Sequence, residues 1–220
     1  NATSGVGVDR ISMEASLYDV LSGATPLIDV VTGTALPALK VAPSSGNLNG
    51  IELELLGRED RALRLKNALA PLRNMYDFII IDCPPSLGVL TVNALVAADS
   101  VLVPVQCEYY ALEGLGQLLE TIDLVRMKLN PRLELEGALL TMYDDRTKLA
   151  QQVIREVRRH FKSGVFQTII GRNVRLSEAP SFGKPIILYD IKSTGAQAYI
   201  RLAHEFVRRA ARQPAVAAVN

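Results

Sequence analysis

Asp82 is the residue whose position argues most directly for chemistry. It closes Phe78-Ile79-Ile80-Ile81-Asp82, a wholly apolar run ending in an acid, and Cys83-Pro84-Pro85-Ser86 follows it. Such a run reads as a strand buried on both faces, with a carboxylate at its carboxyl end. A carboxylate is costly to bury alone. A Mg²⁺ ion, held directly or through water, is its natural partner in a phosphate site. The two prolines remove backbone donors and stiffen the turn that aims the acid. A plain capping aspartate is the competing reading, and four apolar residues before an Asp do not by themselves exclude it.

Two further sets could touch a ligand. Gln106-Cys107-Glu108-Tyr109-Tyr110-Ala111-Leu112-Glu113-Gly114 follows the next apolar run and leads into a helical pattern. Glu108 there suits a ligand contact or an interface, or it merely complements the positive end of the helix dipole. The basic set is Arg146, just after another strand, with Arg172, Arg175, Lys184 and Lys192 in a stretch, 171–192, that reads as irregular. Arginines on loops at one sheet edge reach phosphates without reading bases. No helix-turn-helix or zinc pattern accompanies them, so duplex binding through them would be non-specific and strongly salt-dependent. Cys83 and Cys107 follow neighbouring strands and read as buried, inert thiols rather than a redox pair. His160 and His204 have no partner pattern, and Ser86 lacks the G-x-S-x-G context of a hydrolase.

The elements that must position these residues alternate. Apolar runs at 78–82, 101–105, 137–142 and 165–170 read as buried parallel strands, with a shorter candidate at 39–42. Amphipathic patterns at 12–21, 58–72, 110–129, 147–161 and 195–212 read as helices. This alternation predicts an α/β fold, a mostly parallel β-sheet flanked by helices on both faces, with ligands at the carboxyl ends of the strands. With no internal repeat or linker, a single domain over 1–212 and a short tail, 213–220, is the simplest organisation.

Composition narrows the classes. The chain has 220 residues, 49% of them hydrophobic, and a formal charge of only +1, which excludes a disordered chain. No apolar run reaches membrane-spanning length, and two cysteines are too few for a secreted disulfide scaffold. A reduced, cytoplasmic compartment is the expectation, and no signal-peptide pattern opens the sequence. The charge is unevenly spread. Residues 1–139 carry 10 Lys+Arg against 17 Asp+Glu, whereas 140–220 carry 14 against 6. A basic C-terminal third argues for a polyanionic partner, although scattered solvated cations would produce the same count.

Several strings resemble one family. Phe78-Ile-Ile-Ile-Asp82-Cys-Pro-Pro-Ser86 is similar to the Walker B segment of the ParA/Soj chromosome- and plasmid-partitioning ATPases. Pro104-Val-Gln-Cys-Glu-Tyr-Tyr-Ala-Leu-Glu-Gly114 resembles their next strand-to-helix junction, and Arg172-Asn-Val-Arg-Leu-Ser-Glu-Ala-Pro-Ser-Phe-Gly-Lys-Pro185 their long C-terminal signature. Asn1-Ala-Thr-Ser-Gly5 matches the residues just after their second nucleotide motif. The resemblance implies a P-loop NTPase fold with a deviant Walker A motif, ATP and Mg²⁺ as cofactors, and an ATP-dependent homodimer. It further implies non-specific double-stranded DNA binding, stimulation by a ParB-type centromere-binding protein, and a nucleoid-associated, cytoplasmic location without membrane attachment. By that likeness Asp82 serves the Mg²⁺ shell as the one catalytic-motif residue present. Glu108 lies near the nucleotide and dimer seam, and Met142 with Gly171, Arg172 and Asn173 borders the adenine. Arg146 and Arg175, with Lys184 and Lys192 from the same basic set, face DNA.

Two departures qualify the likeness. The family's first strand, its Lys-Gly-Gly-Val-Gly-Lys-Thr-Thr loop and the following helix have no counterpart here, a gap of about 40–45 residues. The sequence as it stands is therefore expected to hydrolyse no ATP. Gly171 also stands where the family usually has proline. The alternatives are a non-catalytic DNA-binding or interaction module without a P-loop, and a MinD-like positioning ATPase. The latter is disfavoured by a C-terminal helix ending in Arg208-Arg209-Ala210-Ala211-Arg212, without bulky apolar residues for an interfacial anchor.

Overall fold

Helix ends fall where capping residues stand. The computed structural model describes residues 2–9, 13–108 and 111–211, apart from the side chains of 111–113 and 163. The expected helix start at Ser12, the Tyr109-Tyr110 junction and the tail 213–220 lie outside the described residues. After α1 (Ala2–Gly5), helix α2 (Leu17–Ser22) opens with a capping box. The Ser16 amide donates to Asp19 Oδ2 at 2.8 Å and the Ser16 hydroxyl accepts from the Tyr18 amide at 3.2 Å. The helix closes on Gly23 at φ 95°, the left-handed conformation that favours glycine.

Contacts divide the chain into two units that interleave in sequence: Asn1–Val101, Gly114–Leu135 and Ala179–Pro185 in the first, and Leu102–Glu113, Glu136–Glu178 and Ile186–Asn220 in the second. In the first unit, α3 (Leu27–Val30) precedes the two-residue strands β1 (Thr32–Gly33) and β2 (Lys40–Val41), which pair antiparallel. The 39–42 run is thus one arm of a hairpin and not a sheet strand. A connection this short permits only antiparallel pairing. Helices α4 (Ile51–Leu55), α5 (Arg64–Leu69) and α6 (Val89–Ala97) then gather around Leu21, Ile51, Leu55 and Leu65. Buried Asn93 on α6 donates to the carbonyls of Arg61 and Val89 and accepts from the Leu65 amide, which pins α5 to α6.

The 78–82 run forms no strand. Phe78, Ile79 and Ile80 are exposed, Ile80 at 87%, and only Ile81 reaches the α4–α5 cluster. An all-apolar parallel strand is stable only between hydrogen-bonded neighbours, and no described strand is laddered to this run. Asp82 is accordingly exposed and needs no buried counter-ion. Cys83 is exposed as well and only Cys107 is buried, which corrects the expectation of two buried thiols.

The second unit carries most of the parallel sheet. Strand β3 (Ser100–Gln106) pairs with β4 (Glu134–Thr141); helix α7 (Ala111–Lys128), which from Gly114 onward belongs to the first unit, lies between them in sequence. The Glu134 amide donates to Asp99 and the Cys107 amide to Thr141, both at 2.9 Å, so the strands run the same way. The expected strand at 165–170 joins β4 through parallel bridges at Ala138–Val165 and Tyr143–Gly171. It is interrupted in between. The Gln167 and Thr168 amides donate instead to the Glu205 carboxylate, both at 2.8 Å.

Helix α8 (Lys148–Phe161), capped by Thr147, buries Ala150, Val153, Val157 and Phe161 and leaves Arg155, Arg158 and Arg159 outside. The 171–192 stretch is more ordered than expected, because α9 (Val174–Glu178) and α10 (Ile186–Tyr189) form within it. Helix α11 (Thr194–Ala210) starts at the Ser193 cap. Leu139, Phe166, Ile170 and Ala198 form this unit's core, with Leu102, Leu176, Leu202 and Phe206 against them. Gly137 has φ 141°, and a Cβ there would come 2.0 Å from the Gly164 carbonyl oxygen.

Candidate functional site

Three segments of the second unit end at one edge: Glu108 after β3, Met142–Asp144 after β4, and 171–173 after the third run. Backbone bonds hold them in register. Tyr143 donates to Ile170 at 3.1 Å, and the Arg172 amide returns to the Tyr143 carbonyl at 2.9 Å. Across this edge Arg172 Nη2 donates to Glu108 Oε1 at 2.6 Å. Asn173 caps α9 by accepting from the Leu176 amide at 3.3 Å, and its side-chain amide donates to Thr194 Oγ1 at 2.8 Å, tying the edge to the start of α11. Met142 holds φ 52°, a left-handed backbone uncommon outside glycine and concentrated at functional sites. Glu108, Met142, Gly171, Arg172 and Asn173 are therefore brought together.

The arginines of the basic set are paired, not bare. Arg146 Nε and Nη2 grip the two oxygens of Asp144 at 2.8 and 2.6 Å. That fork, with the Arg146 backbone amide and a further contribution from the Arg172 charge, holds the Asp144 carboxyl down at about 2. Arg175 Nη1 donates to Glu178 Oε2 at 2.9 Å, and its Nε lies 3.6 Å from Asp190 Oδ2. The Tyr189 hydroxyl donates to the same Glu178 oxygen at 3.1 Å. Lys192 is exposed beside Asp190. Asp82 and Lys184 belong to the first unit, where both are exposed.

Sequence reading missed Glu178, Asp190, Tyr189 and Thr194 as partners. Glu178 alone had a signal, lying three residues after Arg175, the spacing of neighbours on one helix face.

The edge offers a thioether, a glycine backbone, a guanidinium and a carboxamide, a set that suits the base and ribose of a nucleotide. Among the described residues no group of three His, Cys, Asp or Glu could hold a metal ion, and the sequence contains no glycine-rich loop ending in Lys-Thr or Lys-Ser. The residues present thus include groups that suit the nucleoside end of ATP.

Known proteins resemble this chain in sequence and fold. A family model described as an AAA domain matches residues 1–135. The chromosome partitioning protein ParA of Myxococcus xanthus is 55% identical over 209 residues, 95% of this chain and 74% of that protein. The sporulation initiation inhibitor protein Soj of Bacillus subtilis is 55% identical over 205 residues, 93% of this chain and 81% of that one. Among solved structures, the cobyrinic acid a,c-diamide synthase of Mycobacterium smegmatis with bound ADP and magnesium superimposes with a TM-score of 0.82 at 37% identity, covering 96% of this chain and 79% of that one. The fold, α/β with a parallel sheet and helices, is that of the P-loop NTPases. Within that class the chain belongs to the ParA/Soj family of partitioning proteins.

Proposed function

We propose that this protein is a ParA-type ATPase of chromosome or plasmid partitioning. It uses ATP with Mg²⁺, dimerises when ATP-bound, binds double-stranded DNA without sequence preference, and responds to a ParB-type centromere-binding protein. The observation that carries the reading is identity of 55% spread over 95% of the chain to a protein named for this role.

The residues divide the work. Met142, Gly171 and Asn173 would border the base. Glu108 and Arg172 would set the rim beside it, their ion pair fixing both side chains. Asp82 would supply a carboxylate to the Mg²⁺ shell, and Arg146, Arg175, Lys184 and Lys192 would meet DNA phosphates. ATP, when bound, supplies the phosphoanhydride that is cleaved. Association with the nucleoid would follow from the DNA contacts, and no helix among the described residues is long and apolar enough to cross a membrane.

The test is steady-state phosphate release by the intact gene product with MgATP, duplex DNA and the ParB-type partner. Turnover that rises with DNA and partner, and is lost in Asp82→Ala, is expected. No turnover under these conditions, or turnover indifferent to Asp82→Ala, would overturn the reading.

A further inference from the structure

Both arginines assigned to DNA direct guanidinium donors at carboxylates of their own chain. Arg146 presents a two-pronged fork to Asp144, with Nε and Nη2 at 2.8 and 2.6 Å from its two oxygens. Arg175 donates from Nη1 to Glu178 at 2.9 Å, and its Nε lies within ion-pair distance, 3.6 Å, of Asp190 Oδ2. The planar fork that suits a carboxylate is the one that suits a phosphate. A duplex phosphate can reach these donors only by replacing the acid.

The acids are anchored independently of the arginine side chains they hold. Asp144 Oδ1 also accepts the Arg146 backbone amide at 3.1 Å, and the Asp144 carbonyl accepts the Thr147 hydroxyl at 3.0 Å. Glu178 takes the Tyr189 hydroxyl at 3.1 Å. Asp190 Oδ1 caps the amides of Lys192 and Ser193 at 3.2 and 3.1 Å. The arginine side chains, by contrast, are 83% and 54% exposed. Asp144 and Asp190 are thus tied to backbone amides and Glu178 to a tyrosine hydroxyl, while the guanidinium groups lie open to solvent, and pairs this exposed are weak enough to exchange.

We propose that Asp144, Glu178 and Asp190 are built-in phosphate mimics that occupy Arg146 and Arg175 until a duplex displaces them, so that they set the protein's affinity for DNA. The proposal rests on the reading of Arg146 and Arg175 as DNA contacts. It adds that three acids which touch no DNA tune that contact.

The experiment is a double-mutant cycle on the intact protein with MgATP. Affinity for a fluorescent duplex of arbitrary sequence is read by anisotropy in wild type, Glu178→Gln, Arg175→Ala and the double variant. A matching cycle uses Asp144→Asn with Arg146→Ala. Removing a mask should tighten binding about two- to fivefold, the range of an exposed ion pair. The gain should vanish when the masked arginine is absent, because the two residues act through one interaction. A gain that persists in the Arg175→Ala background would be a bulk charge effect and would overturn the masking proposal, as would no gain. Wild-type affinity in both Arg175→Ala and Arg146→Ala would instead overturn the DNA-contact reading beneath it. Should Glu178→Gln fail to fold, the Asp144–Arg146 cycle tests the proposal by itself.

Discussion

Arg172 and Glu108, 64 residues apart in sequence, meet at 2.6 Å and so join the end of β3 to the turn after the third parallel run, with the end of β4 between them. The pair is half exposed and contributes under about 1 kcal/mol to stability. Its importance is positional, since it fixes two of the charged side chains at the edge that suits a nucleoside.

Arg172→Ala should therefore leave the melting temperature nearly unchanged and weaken nucleotide binding by about tenfold, the worth of one charged hydrogen bond. Calorimetric titration of the intact protein with a non-hydrolysable ATP analogue measures it. Unchanged affinity would remove the pair from the nucleotide site.

Glu205 is a buried acid whose loss should be felt in folding. It accepts from the Gln167 and Thr168 amides and from Arg209, while Arg209 also donates to the Val165 carbonyl and lies 3.9 Å over the Phe166 ring. Burial pushes the Glu205 carboxyl up, but the two amides, the Thr168 side chain and Arg209 outweigh it, so the net shift is below its ordinary 4.5. With the folded value depressed, its stabilisation is complete above the unfolded value and fades as pH falls through the folded one. Glu205→Ala should cost about 3 kcal/mol at neutral pH in urea unfolding. It should also flatten the fall in stability below about pH 4.5. An unaltered acid limb would contradict the assignment.

Asp144 should titrate at about 2, well under its ordinary 3.8, because the Arg146 fork stabilises its charged form. In Arg146→Ala, carboxyl NMR should find the Asp144 titration moved back up toward that ordinary value. A titration that stays low without Arg146 would mean another group holds the acid down.

Gly137→Val places a branched side chain at φ 141° against the Gly164 carbonyl. The clash is with backbone, which cannot rotate away, so the loss should be about 3 kcal/mol or more. A melt equal to wild type would show that β4 can shift to accommodate it.

How much of this was legible in sequence depended on how local the deciding physics was. The caps at Thr147 and Ser193 act within one turn, and the helices they start were readable, whereas α2 starts at the Ser16 cap, one turn later than the expected Ser12. The 78–82 run was not, because whether an apolar segment becomes a strand is decided by its neighbours. Helix α6, apolar on nearly every side, presents no stripe to recognise. Glu205 escaped notice because a lone acid on a helix reads as solvent-facing, and only the folded register brings two strand amides to it. At the candidate site the individual residues were readable, Glu108 and Arg172 among them, but their pairing needed the order of the parallel runs. Asp144 with Arg146, two residues apart, and Glu178 with Arg175, three apart, were the pairs whose spacing sequence alone could show.

Duplex binding by the intact protein, followed across salt concentration with and without MgATP, tests the account most directly. Binding should depend on ATP and be of equal strength to unrelated sequences, with log K falling linearly in log salt. Arg146→Ala and Arg175→Ala should each reduce that slope by about one unit and weaken all sequences alike. Binding that prefers one sequence, ignores ATP, or keeps its full salt slope in both variants would contradict it.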